Sequence, residues 1–328
     1  MNATPHTPST FDPFEVQPPL RGDLSGQAWN LARPLFDWAV GFGELRRVYT
    51  AAKGEGTLEG FLARALLELG VEWSANELDL SRIPRKGPCV VVANHPFGAI
   101  EGIVLATLLR AYRKDVKLVA NQLLWRLEAM RDVLLPVEVY GGEHATRSNL
   151  SRLRAALKHL KDDGMLALFP SGEVAHFTPE SGAVVEAPWN PTVSWLARMA
   201  NAPVVPVHFA GQASVFVHAL GLVHPSLRTA LLPRELLRQR GRRIQVRVGA
   251  PISAVEARGA AERRRAHQLL AATHAGAGRR LGTATSAGVA AGAERARVVA
   301  CAGAGAAARP EPHRARNRDF APREPAGA

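Results

Sequence analysis

Cysteine is nearly absent from this chain. Its 328 residues include two, Cys89 and Cys301, too few for a disulfide framework or for a metal site of their own. Cys89 falls in an apolar run and reads as a small core residue, which suits a reducing cytosol. Long hydrophobic runs are missing as well. No apolar stretch reaches the roughly 18 residues of a membrane span, so contact with a bilayer is expected from one face only. The N-terminus carries Asp12, Glu15 and Pro18-Pro19 rather than a basic stretch followed by an apolar one, so no signal peptide is expected. Acidic residues are in deficit: 29 Asp+Glu face 41 Lys+Arg, a formal charge of +12. That excess fits an anionic partner (nucleic acid, an acidic membrane surface, a phosphorylated or carrier-bound substrate) and equally a merely solvated basic surface.

What is present is enough for a sizeable core: 47% of the residues are hydrophobic, and the length suits one α/β domain with extras. Residues 1–24, rich in Pro, Thr and Asp, read as a disordered arm. Trp29 to Tyr49 reads as one amphipathic helix kinked near Pro34, and Leu58 to Leu69 as a second, ended by Gly70. This helical region, 25–80, could pack on the core or lie on a bilayer interface. From Gly87 to Pro251 strands and helices alternate. Strands are expected at 89–93, 116–120, 134–139, 165–169, 203–209 and 243–248, with helices at 148–160 and 194–199. Such alternation predicts an α/β sheet with parallel pairing. Pro203 and Pro206 predict that the 203–209 strand lies at a sheet edge or that they mark its terminus. Residues 283–328, dominated by Ala, Gly, Arg and Pro, read as a disordered tail.

Two segments follow buried strands, where α/β proteins place their chemistry. The first is Asn94-His95-Pro96-Phe97-Gly98-Ala99-Ile100-Glu101. A histidine with a nearby acid is the minimal general-base unit: the acid fixes the imidazole tautomer and the other ring nitrogen takes a proton. Gly98 gives the turn freedom to bring His95 and Glu101 together. The plain alternative is a histidine satisfying a turn carbonyl beside a first-turn helix acid. The second segment is Phe169-Pro170-Ser171-Gly172-Glu173. Ser171 and Gly172 offer a hydroxyl and N–H groups, and Glu173 a carboxylate. A nucleophilic Ser171 would make the protein a serine esterase, but the Gly-x-Ser-x-Gly elbow is missing. Between the two, Tyr140 to Asn149 reads as a glycine-rich loop ahead of a helix. Arg147 at or near that helix's N-terminus could grip a phosphate or carboxylate, with Ser148 as a cap.

Taken in order, these blocks resemble the glycerolipid (lysophospholipid) acyltransferase family, over roughly residues 57–252. Asn94-His95-Pro96-Phe97-Gly98 with Glu101 is similar to its first block, Arg147 to its second, Phe169 to Glu173 to its third and Pro203 to Val207 to its fourth. The look is that of the bacterial hemolysin-like branch. The family's usual acid position holds Ile100 here, and Glu101 follows one later, as in that branch. Ser171 stands where the main family has Glu, which shifts the expected acceptor away from glycerol phosphate.

The resemblance implies a single acyltransferase domain, residues 81–282, with a mixed, mainly parallel sheet flanked by helices. It implies transfer of a fatty acyl group from acyl-CoA or acyl carrier protein to a lysophospholipid or lyso-ornithine lipid. His95 would be the base and Glu101 its partner. Asn94, Phe97, Gly98, Arg147, Ser171, Gly172 and Glu173 would contact substrate, and backbone N–H groups at Gly98 or Gly172 would hold the oxyanion. No metal, cofactor or nucleic acid is expected. The expected location is peripheral, on the cytoplasmic face of the inner membrane. A non-catalytic basic protein binding membrane or nucleic acid through the tail is the remaining alternative.

Overall fold

The computed structural model describes residues 12–15, 23–138, 143–179, 181–223, 225–254 and 256. The 283–328 tail lies outside the described residues. In chain order the elements are α1 (Asp23–Val40), α2 (Phe42–Lys53), α3 (Leu58–Glu68), β1 (Glu72–Ala75), α4 (Glu77–Leu80), β2 (Cys89–Ala93), α5 (Ile100–Arg110), β3 (Val116–Asn121), two short 3-10 segments within Gln122–Met130, β4 (Leu134–Val137), α6 (Glu143–Lys161), β5 (Met165–Leu168), β6 (His176–Thr178), β7 (Ala183–Val185), α7 (Thr192–Ala200), β8 (Val204–Phe209), α8 (Val215–Val223), α9 (Pro225–Arg238) and β9 (Arg243–Val248).

Seven strands form one sheet in the order β1-β9-β8-β2-β5-β3-β4. All neighbours are parallel except β8 and β9, which are antiparallel. The expected mixed, mainly parallel sheet is therefore present. β6 and β7 make a separate hairpin.

The alternation of a strand places its side chains on two faces, and here each face has its own core. Cys89, Val91 and Ala93 of β2 join Met165, Ala167, Val205 and Val207 with α3 and α5. Val90 and Val92 join Leu166, Leu168 and Val204 with Ala156 and Leu160 of α6 and Val193 and Leu196 of α7. β2 is buried at every residue, because parallel strands covered on both faces need near-continuous apolar sequence. Phe61, Leu62, Ala65 and Leu66 of α3 sit in the first of these cores. The helices before the sheet are thus partly core elements, and β1, from the same stretch, pairs with β9.

Three expectations need correction. The single helix from Trp29 to Tyr49 is two helices, and the break is at Gly41 rather than Pro34. Gly41 has φ +87°, in the left-handed region that glycine tolerates, and a Cβ there would meet Leu237 of α9 at 2.5 Å. The strand carrying Pro206 is not at an edge: β8 lies between β9 and β2, with Pro206 in its interior. Opposite the proline the regular pairing with β9 has ended: Gly249 N–H donates to its carbonyl (2.8 Å), and the next contact is the isolated Val204–Ile252 bridge, so no ladder bond from the Pro206 nitrogen is required. Finally, α6 begins at Glu143, so Arg147 and Ser148 lie inside that helix rather than at its start.

Candidate active site

β8, β2 and β5 are neighbours, so the loops that leave their carboxyl ends converge. Those loops are Asn94–Ala99, Phe169–Ala175 and Ala210–Ser214. Backbone bonds knit them together: Ala175 N–H donates to His95 O and Ala213 N–H to Pro96 O, each at 2.9 Å. Asn94 holds the first strand end to its neighbour. Its Nδ2 donates to Phe209 O (2.9 Å) and its Oδ1 accepts from Phe209 N–H (2.7 Å), so both polar atoms of its amide are engaged by the backbone.

His95 and Glu101 meet as expected. Glu101, fully buried in the first turn of α5, lies 2.9 Å through Oε1 from His95 Nδ1. The same oxygen accepts from Phe97 N–H at 2.7 Å and Gly98 N–H at 2.9 Å. Burial by itself would raise the Glu101 pKa. The His95 charge and hydrogen bond, with the Gly98 N–H, outweigh it and hold the group below the usual carboxylate range. A carboxylate accepting at Nδ1 makes Nδ1 the protonated nitrogen of the neutral ring and leaves Nε2 unprotonated.

Gly98 lets the turn close. Its φ is +100°, and its Cα faces Leu232 of α9 so closely that a Cβ would come within 2.6 Å of Leu232 Cδ2. Phe97 points the other way. It is 3% exposed, packed in the core, where a Cβ on Gly211 would meet its ring at 2.5 Å. It braces the turn from below instead of lining a surface.

In the second loop Ser171 Oγ donates to Glu173 O (2.9 Å) and Gly172 takes φ +70°. The N–H groups expected to form an oxyanion hole are occupied. Gly98 N–H serves Glu101, and Gly172 N–H donates to Phe169 O (3.0 Å). Glu173 pairs through Oε2 with Nη2 of Arg228 on α9. The side chain of Arg147 lies outside the described residues.

Four residues, Phe169, Glu186, Trp189 and Arg228, take roles that the sequence does not show. Phe169 stacks on the His95 ring, centroids 4.2 Å apart and planes at 16°. Glu186, after the β6–β7 hairpin, accepts the His95 backbone N–H at 2.6 Å and, through its other oxygen, Trp189 Nε1–H at 3.0 Å. Burial pushes the Glu186 pKa up, against the Trp189 and His95 hydrogen bonds. Arg228 is the fourth. A glutamate shortly before a tryptophan is no recognisable signal. Phe169 was visible as part of a block, without its stacking role.

The sequence profile of a family described as acyltransferase matches residues 54–273. The chain is 26% identical over 180 residues to a lyso-glycine lipid O-acyltransferase of Phocaeicola vulgatus, covering 53% of this chain and 62% of that protein. It is 27% identical over 180 residues to the lyso-glycine lipid O-acyltransferase of Bacteroides thetaiotaomicron, covering 53% and 64%. It thus spans just under two thirds of the length of these curated relatives. A solved structure, the 1-acyl-sn-glycerophosphate acyltransferase PlsC of Thermotoga maritima, aligns with a TM-score of 0.43 and 17% identity over 78% of this chain and 95% of that one. With the profile spanning most of the chain and enclosing the His95–Glu101 turn, this chain belongs to the acyltransferase family.

Proposed function

We propose that the protein transfers a fatty acyl group from a thioester donor, acyl-CoA or acyl carrier protein, to the hydroxyl of a lysolipid. The observation that carries this reading is the His95–Glu101 pair at the carboxyl end of β2, with Nε2 left for substrate. In the proposed step Nε2 removes the hydroxyl proton as that oxygen attacks the thioester carbonyl. Glu101 stabilises the imidazolium. Collapse breaks the C–S bond, and the thiolate leaves with the proton from Nε2. Such a base contributes about 10² to 10⁴ in rate. No cofactor enters the scheme, since the thioester is a substrate.

The names of the two curated relatives favour an amino-acid lysolipid, of the glycine type, over a lysophospholipid as acceptor. They stand close in kind to the lyso-ornithine lipid expected from the sequence. Membrane contact is supported by α1, where Leu31, Leu35 and Trp38 are 84%, 69% and 70% exposed at helical spacing. The net positive charge suits an anionic bilayer surface or an acidic carrier protein. No helix among the described residues is long and apolar enough to cross a membrane, and a peripheral placement on the cytoplasmic face of the inner membrane belongs to the same proposal. A serine-esterase role for Ser171 finds no support, since its hydroxyl is bonded to the Glu173 carbonyl.

The test is acyl transfer by the purified protein and by His95→Ala. Labelled acyl-CoA and acyl carrier protein are offered with lyso-glycine lipid, lyso-ornithine lipid and lysophosphatidic acid, and the products are resolved by mass. Transfer that falls at least about 10²-fold in the variant supports the reading. Transfer that survives loss of His95 overturns the mechanism.

A further inference from the structure

Beside the His95 turn lies a second polar cluster that the acyl-transfer step does not use. Its cation is Arg228 on α9, one helical turn before Leu232, the residue lying over Gly98. Arg228 is 9% exposed, and its stem packs on Gly221 of α8, where a Cβ would lie 3.4 Å from Arg228 Cδ. Its guanidinium pairs with Glu173, whose side chain is 41% exposed against 11% for the arginine. The pair is asymmetric: the cation is fixed and enclosed, while the carboxylate sits at the rim of a loop and can turn out to water. A guanidinium presents a rigid fork of five N–H donors suited to two oxygens at once.

His218 of α8 is the independent second observation. It is 5% exposed, and among the described residues neither ring nitrogen makes a well-formed hydrogen bond. A buried imidazole without partners is costly. Burial lowers its pKa, against the Ala213 backbone and the Glu235 charge, while His176 and Arg228 add to the lowering. At neutral pH the neutral ring therefore carries one N–H, which lies near the Ala213 backbone but makes no well-formed hydrogen bond among the described residues. His176, at the start of β6, closes the cluster 4.0 Å from the Glu173 carboxylate. An enclosed arginine and a buried imidazole N–H without a well-formed bond suit an acceptor oxygen carrying negative charge.

We propose that Arg228 and His218 bind the anionic oxygens of the acceptor's head group, carboxylate or phosphate, displacing Glu173 from Arg228. This rests on the acyl-transfer reading for the identity of the ligand. The loop joining the cluster to the base is short: Ala175 N–H donates to His95 O, two residues after Glu173. An anion seated on Arg228 would place the remainder of the acceptor over the His95 turn. A glycine head group acylated on nitrogen ends in such a carboxylate, and a lysophosphatidate in such a phosphate.

The experiment is equilibrium binding without donor, by calorimetry in detergent micelles, on the full chain. The probes are lyso-glycine lipid, its carboxyl methyl ester and lysophosphatidic acid. Wild type is expected to bind the free acid about 10- to 100-fold tighter than the ester, the range for hydrogen bonds to a charged group. Arg228→Met should bring that ratio close to one, and His218→Phe should reduce it. Glu173→Gln should keep it, because the arginine remains to receive the anion. A larger Arg228-dependent gain for lysophosphatidic acid than for the glycine lipid assigns the site to phosphate, and the reverse assigns it to carboxylate. The inference is overturned if wild type binds acid and ester alike, or if Arg228→Met keeps the preference. It is also overturned if Glu173→Gln abolishes the preference as Arg228→Met does, which is the signature of a latch between α9 and the loop. Binding is read apart from transfer, so an intact ratio without acyl transfer would refute the proposed reaction and leave the head-group site standing.

Discussion

The imidazole of His95 lies flat against Phe169, with ring centroids 4.2 Å apart and planes at 16°. The stack couples the loop after β2 to the loop after β5. It holds the ring from its face while Glu101 holds it from its edge. Orientation of the imidazole thus depends on an aromatic residue 74 positions along the chain.

Phe169→Leu keeps the apolar volume and removes the stacking surface. Aromatic pairs contribute about 0.5–1.5 kcal/mol beyond burial, so the expected loss in kcat is about 2- to 10-fold, with the melting temperature nearly unchanged. Steady-state acyl transfer beside a thermal melt measures both. A variant with full kcat would show that Glu101 alone orients the ring.

Glu186 fixes the His95 backbone rather than its ring. Glu186→Ala orphans the part-buried His95 N–H, at a cost of about 1–3 kcal/mol, and should lower activity about 10- to 100-fold. Glu186→Gln keeps one acceptor oxygen and should recover much of the loss. Equal activity of the two variants would remove the hydrogen bond from the account.

Gly98 supports the turn through its conformation. At φ +100° a side chain costs about 1–3 kcal/mol, and the Cβ of Gly98→Ala would also push on Leu232 and on Val174 at 3.2 Å. The expected result is a lower urea midpoint together with lost transfer, because the same turn presents two N–H groups to Glu101. A variant as stable as wild type would show that the turn can relax.

Away from the site, Glu59 of α3 receives Arg110 and Lys114, at the end of α5 and just beyond it, each at 2.7 Å. The Lys114 hydrogen bond leads, burial opposes, and Arg110 adds to it, so the pKa is lowered to about 2. A folded pKa below the ordinary 4.5 means stability that is fully present above pH 4.5 and is lost as pH falls toward 2. Glu59→Gln should cost no more than about 1 kcal/mol at neutral pH, as befits a partly exposed pair. Urea midpoints of wild type and variant, measured from pH 6 to 2, should converge across that window. A constant gap would show that the carboxylate charge is not what the two cations stabilise.

Local sequence determined a good deal of this protein. The β2, β5 and β9 runs are apolar or alternating over the span of one strand, and five residues separate His95 from Glu101. The pair could therefore be read from a single turn. Helix continuity at Gly41 is not decided locally, because the break packs against Leu237 of α9, remote in sequence. The interior position of Pro206 was misread for a related reason: whether its missing N–H matters depends on where β9 stops.

The tertiary structure alone decided what surrounds His95. Glu186 is 91 residues from His95, and Arg228 is 55 from Glu173. They meet their partners only because β8, β2 and β5 are adjacent in the sheet and α9 lies across their ends. Hydrogen bonds and ion pairs reach about 3 Å, so strand order and helix docking select the partners. A one-dimensional pattern of residue types contains the donors and acceptors but not that adjacency.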